Sequence, residues 1–242
     1  MLAHGILSQM QYAEAVVPGV WTPPGTPLIY SDANDAPSGA GGVWPDKSGN
    51  GYDAAVGSGV TYIGSGNTAY FAYNNSTGGH IWDYGMWSNH SPYTAFSIVI
   101  VYKPNFQAND QQKIIGFGSG AVISLQPDYQ LTNNTGRAEV KNSGGTWVNA
   151  GTVNNMWAAS TWETYALIWT GAVLQLYKGS TLQAQNTLTS FRGAEGSTAL
   201  TVGTLSNRPA YGSLATVLFY DSAISTADLA DIDTEFSSRY GY

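Results

Sequence analysis

The chain predicts an all-β fold: an antiparallel jelly-roll β-sandwich with one C-terminal helix and an extended N-terminal arm. Three observations carry this. Eleven short segments rich in aliphatic and aromatic residues follow one another between Leu28 and Tyr220, with Gly, Asn, Ser or Pro between most of them. No segment of helical period separates them, so they pair as antiparallel neighbours and not as βαβ units. A single amphipathic stretch with capping residues closes the chain, and a proline-rich stretch opens it.

The arm spans residues 1–27 and the sandwich domain residues 28–242. Four prolines between Pro18 and Pro27 keep the arm from pairing as a central strand. Its apolar residues Ile6, Leu7, Met10, Val16, Val17 and Trp21 are expected to dock on a neighbouring subunit, since water gives them nothing to pack on. The expected strands are 28–30, 60–63, 69–73, 96–102, 113–118, 121–125, 137–140, 164–169, 173–178, 199–203 and 213–220. FSIVIVY at 96–102 is apolar on both faces apart from Ser97 and belongs in the centre of a sheet. Residues 164–178 read as a hairpin turning near Thr170-Gly171. The helix starts after Ser225 as N-cap, with Asp228 placed to complete a capping box. Leu229, Ile232, Phe236 and Tyr240 make one narrow apolar stripe, and Gly241 ends the helix.

Composition narrows the function. The chain has 242 residues, enough for one large β domain, and 43% of them are hydrophobic. Only 10% are charged, the net charge is −7, and the nine Lys and Arg residues form no cluster. Nucleic acid and anionic membrane surfaces are therefore not expected partners. With no cysteine, a disulfide framework, a thiolate zinc site and a cysteine nucleophile are all excluded.

Three stretches carry a resemblance. VWPDKSGNGYDAAVGSGVTY (43–62) is similar to an opening W-x-D-x-SGNG turn, TYALIWTGAVLQLYKGS (164–180) to a hairpin ending in a Tyr-x-x-Gly element, and YGSLATVLFYDSAISTADLADIDTEFSSRYG (211–241) to a closing strand, turn and helix. In order and spacing they resemble the concanavalin A-like lectin/glucanase superfamily, in its laminin-G-like branch, over residues 28–241. The resemblance implies the sandwich fold. It also implies one of several roles hosted by that fold: glycan binding, protein binding or a structural part of a phage virion.

Glucanases of the superfamily carry a Glu-x-Asp-x-x-Glu strand, and nothing here matches it. The dense acidic run from Asp228 to Glu235 lies on the expected helix, and His4, His80 and His90 are isolated. No catalytic residues are assigned, and the chain is expected not to be an enzyme. Asp46, Ser48, Asn50 and Asp53 imitate the first half of a calcium loop, but Gly57 stands where a bidentate Glu is needed. Asx-turn bonding is the stronger reading, and no cofactor is expected beyond this weak calcium candidate. The glycan-binding or interface candidates are Trp82, Asp83, Tyr84, Trp87, Asn89 and His90, within the aromatic stretch HIWDYGMWSNHSPY (80–93). Sugars present apolar faces to aromatic rings and hydroxyls to Asp and Asn, and the same rings suit a subunit interface.

The leading expectation is a bacteriophage virion structural protein: a capsid-decoration, head-fibre or tail protein, homo-oligomeric, joined to other virion proteins through its arm. Its expected location is the virion surface, after synthesis in the host cytoplasm, because the first residues lack the charged start and apolar centre of a signal peptide. The alternative is a carbohydrate-binding adhesion module that recognises surface glycans by aromatic stacking.

Overall fold

The computed structural model describes residues 21–36, 42–57, 60–64, 68–73, 81–86, 93–105, 113–117, 123–126, 135–192, 199–203 and 210–242; for 81–86, 117 and 199 it describes the backbone alone. The first strands are β1 (Ile29–Asp32), β2 (Val43–Trp44), β3 (Ala54–Ala55), β4 (Val60–Ile63), β5 (Tyr70–Tyr73) and β6 (Ile81–Met86). Then come β7 (Phe96–Pro104), β8 (Ile115–Phe117), β9 (Ile123–Gln126), β10 (Gly136–Lys141) and β11 (Trp147–Val153). The chain closes with β12 (Glu163–Trp169), β13 (Val173–Lys178), β14 (Thr181–Thr187), β15 (Ala199–Gly203), β16 (Gly212–Tyr220) and helix α1 (Thr226–Tyr240).

The strands form two antiparallel sheets. The first runs β14-β13-β12-β7-β16-β5-β4, with β1 pairing the second half of the β16 edge that β5 leaves free. The second runs β11-β10-β9-β8-β15-β6-β3-β2. Every expected strand is present to within a few residues. Not expected were β6, β11 and β14 and the two-residue β2 and β3. The first two-residue pair belongs to the turn at 46–53, and β11 and β14 are sheet edges of largely half-buried or exposed residues.

Why the central strands are apolar on both faces follows from the layering. On β7, Phe96, Ile98, Ile100 and Tyr102 face the core between the sheets. Val99 and Val101 face a second core on the opposite side of the first sheet, formed with Leu229, Ile232 and Phe236 of α1. Ser97, the one polar residue on the apolar run, donates from its hydroxyl to the Ser222 carbonyl at 2.8 Å and accepts from the Ile224 amide at 2.9 Å. It thereby holds the turn that delivers the chain to α1. All nine residues of β16 are buried for the same reason as β7.

The helix has the ends its sequence calls for. The Ser225 hydroxyl accepts from the Asp228 amide at 3.1 Å while the Asp228 carboxylate accepts from the Ser225 amide at 3.0 Å. Gly241 closes it in the left-handed region, at φ 72°. Tyr240 is half-buried against the second core, so the four-residue stripe faces the sheet as expected. Trp21, assigned to the arm, packs on its own domain: its ring lies edge-on to Tyr30 at 5.8 Å and to Phe236 at 5.4 Å. An indole at the rim of a core buries more area there than it would in water. Ile6, Leu7, Met10, Val16 and Val17 lie outside the described residues.

The core has a consequence at high pH. Burial raises the phenol of Tyr102 above its ordinary value near 10. Burial, then the adjacent Glu163 carboxylate, raises that of Tyr165 as well. Above about pH 10 the unfolded chain releases protons that these two tyrosines keep in the folded chain, so stability is untouched below that pH and falls as pH rises through it. Circular dichroism and phenolate absorbance recorded together should show a late group of tyrosines ionising only as the β signal is lost. Complete ionisation of all tyrosines with the fold intact would contradict this.

Candidate functional site

The sequence-derived candidates fall in several places. Trp82, Asp83 and Tyr84 lie within β6, a strand interior to the second sheet, rather than in a loop. Trp82 stands in register with Val202, a core residue, and Asp83 with Thr201 and Ala55. Trp87, Asn89 and His90 lie outside the described residues.

The weak calcium candidates form a turn whose oxygens are already engaged. Asp46 Oδ1 accepts from the amides of Tyr30 (3.0 Å) and Ser48 (2.9 Å), and Oδ2 from the Tyr52 amide (3.0 Å) and the Ser48 hydroxyl (2.7 Å). Asp53 Oδ1 accepts from the Asp46 amide at 2.8 Å, and the Asn50 side-chain amide donates to the Leu28 carbonyl at 3.1 Å. Donors that point at a carboxylate must be removed before a cation can bind it, so Asp46 as placed is not open to a calcium ion. Together these residues tie the 46–53 turn to β1. Among the described residues no group of three or more His, Asp or Glu is placed to hold a metal.

A different constellation emerges at the end of the first sheet's outer face, where α1 stops. The register sets Ala72 of β5, Ser213 of β16 and Lys103 of β7 in one row. The Lys103 ammonium lies 5.0 Å from the Tyr70 ring centre and 5.1 Å from that of Trp162. Those two rings meet edge-on at 5.4 Å, and Trp162 also packs on Tyr240 at 4.6 Å. The Tyr240 hydroxyl donates to the Ala69 carbonyl at 2.6 Å, fixing the last turn of α1 against this corner. The result is three half-buried rings and a lysine held on one platform.

Beside the platform opens a cleft of about 240 Å³, lined by Lys103, Asn105, Ser160 and Ser213 together with Ala72, Tyr73, Pro104 and Gly212. It lies just below the usual range for small-molecule sites, roughly 300–1,000 Å³. Ser160 is held at φ 59° with its amide donating to the Pro104 carbonyl at 2.8 Å, an uncommon conformation for a residue with a Cβ. Gly212 makes the cleft floor possible: at φ 140°, a Cβ there would stand 2.2 Å from the Lys103 carbonyl oxygen. Among the described residues no carboxylate lines the cleft. It offers hydroxyl, amide and ammonium groups beside aromatic rings, which suits a small polyhydroxylated ligand.

The second sheet carries a polar cluster of another kind on the face away from the core. The Gln126 amide donates to Ser124 (3.0 Å) and to Glu139 (2.9 Å), and Arg137 pairs with Glu139 at 2.7 Å. Ser124, Gln126 and Glu139 are all buried. Gln126 Oε1 is left buried in this cluster with no hydrogen-bond partner among the described residues.

No protein-family model matches the chain, and no curated protein sequence does either. Solved structures match over most of it. The binding domain of Paraclostridial Mosquitocidal Protein 1 matches with a TM-score of 0.65 at 13% identity, over 87% of this chain and 52% of that one. Domain 4 of AbnA, an extracellular arabinanase from Geobacillus stearothermophilus solved with arabinotriose, matches at 0.65 and 15% identity, over 86% and 98%. The binding domain of botulinum neurotoxin serotype G matches at 0.65 and 14% identity, over 88% and 51%. The likeness is one of fold. The chain is an antiparallel β-sandwich with one C-terminal helix. This sandwich spans about half the length of the two toxin binding domains and nearly all of the arabinanase domain.

Nothing in the sequence singled out Tyr70, Lys103 or Trp162. The signal that would have found them is the pairing register, which brings residues from β5, β7 and the start of β12 to one corner.

Proposed function

We propose that this chain is a non-catalytic carbohydrate-binding module, with the Tyr70–Lys103–Trp162 platform and its adjoining cleft as the sugar site. The observation that carries this is that Lys103 belongs to both features: it lines a small cleft with Asn105, Ser160 and Ser213, and its ammonium lies against the Tyr70 and Trp162 rings. The fold supports the same reading, since one solved look-alike was obtained with arabinotriose and others are toxin binding domains. Sugars need both surfaces, because their C–H faces pack on rings while their hydroxyls require partners.

A glycan array with the full chain tests this. Binding should appear on at least one saccharide class and fall about tenfold or more for Trp162→Ala, as expected when an aromatic wall worth roughly 1.5 kcal/mol or more is removed. Trp82→Ala and Trp87→Ala serve as the competing pair. If they abolish binding while Trp162→Ala leaves it unchanged, the site lies at 80–93 instead. If no saccharide is retained, the reading fails.

The virion structural role, and the laminin-G-like branch with it, stands as a second reading. The proline-rich arm motivates it, with its oligomeric assembly and its place on a particle surface. The solved look-alikes favour a binding module over it, and the two roles are compatible on one chain. Deleting residues 1–20 keeps Trp21, which packs on Tyr30 and Phe236, in the chain. A chain lacking residues 1–20 that still enters particles or oligomers normally would count against an assembly arm.

A further inference from the structure

Resting on the glycan reading, we infer that the site takes an anionic saccharide, one bearing a carboxylate or a sulfate ester, and that Lys103 is the group that recognises the charge. Four described cations, Lys47, Arg137, Lys178 and Arg239, each have a carboxylate partner within 2.7 Å. Lys103 has no ion pair among the described residues; its neighbours are the Tyr70 and Trp162 rings. Ring faces hold an ammonium in place without neutralising it or hydrogen-bonding to it. The charge therefore stays unneutralised on a residue that lines the cleft.

The rest of the lining agrees. Asn105, Ser160 and Ser213 bring donors to the same space, and among the described residues no Asp or Glu lines it. This is unusual in a chain with a net charge of −7, where sixteen acidic residues outnumber nine basic ones. A neutral sugar would leave the ammonium facing it without a charged partner. An acidic sugar would place its anion at Lys103 and its hydroxyls toward Asn105, Ser160 and Ser213. Charge-assisted hydrogen bonds of that kind are stronger than neutral ones.

The full chain is presented to an array carrying neutral, uronic-acid-containing, sialylated and sulfated oligosaccharides. Binding is expected on anionic members alone, weakening as salt is raised. Lys103→Gln should lower it about tenfold or more, and Lys103→Arg should retain it. Which anionic members are held separates carboxylate from sulfate recognition. A measurement that needs no variant is competition: free glucuronic acid should displace the bound saccharide and its methyl ester should not, when the retained member is carboxylated. Neutral members bound as well as anionic ones, or binding indifferent to Lys103→Gln in a folded variant, would overturn the inference and leave the glycan reading standing. An array with no bound saccharide of any class would overturn both.

Discussion

Arg239→Ala is expected to cost about 3–5 kcal/mol of stability, the usual loss when one partner of a buried ion pair is removed. Arg239 reaches from the last turn of α1 to Asp32 at 2.6 Å, and the Asp32 side chain is only 2% exposed. Removing the guanidinium strands that carboxylate with the Asn34 amide groups and the Tyr30 hydroxyl as its remaining partners. Burial on its own would lower the Arg239 pKa, but Asp32 and Glu235 outweigh it and hold the group above its ordinary value. The guanidinium also lies 6.0 Å from the Trp21 ring centre and 5.0 Å from that of Phe236, so its stem and plane are part of the packing. Urea unfolding measures the loss. The double variant Asp32→Asn/Arg239→Met should recover most of it, because it leaves no unpaired charge. If Arg239→Ala alone unfolds at the wild-type midpoint, the clasp between α1 and β1 is not a stabilising one.

Trp157→Ala should destabilise the sandwich by about 3–5 kcal/mol, and Trp157→Phe by less than half of that. The indole is 1% exposed and lies between the sheets. It stacks on Tyr165 with centroids 3.6 Å apart and meets Tyr102 edge-on at 6.1 Å. Its Nε1 has no hydrogen-bond partner among the described residues, so phenylalanine keeps much of the ring contact and removes a buried, unsatisfied N–H. Equal losses for Ala and Phe would show that indole volume, rather than stacking, dominates at this position.

Much of the architecture was legible residue by residue. β7 announced itself as a central strand because both of its faces are apolar, and a strand apolar on both faces must be covered on both. The capped helix was equally plain, since Ser225, Asp228 and Gly241 act through local backbone geometry that needs no distant partner. The 46–53 turn declared its Asx bonding for the same reason. Edge strands were harder. TLQAQNT of β14 has no apolar face to give it a period, because an edge strand is half solvated; its place is secured by pairing with β13 and by the Asn186 amide donating to the Asn149 carbonyl of β11 at 2.8 Å. Aromatic, glycine and acidic residues mixed in IWDYGM hid β6 behind the composition of a binding loop.

The candidate site was not legible at all. Tyr70, Lys103, Trp162 and Tyr240 are far apart in the chain, and no local rule links them. The same holds for the ion pair of Asp32 with Arg239, separated by 207 positions. Local bonding and hydrophobic period are properties of neighbouring residues, so the strands, turns, caps and fold class could be read directly. Register between distant strands, and the corner where α1 stops short of the sheet, are set by packing across two cores. Tertiary structure alone therefore decided which rings meet Lys103 and where, among the described residues, the chain offers a cleft.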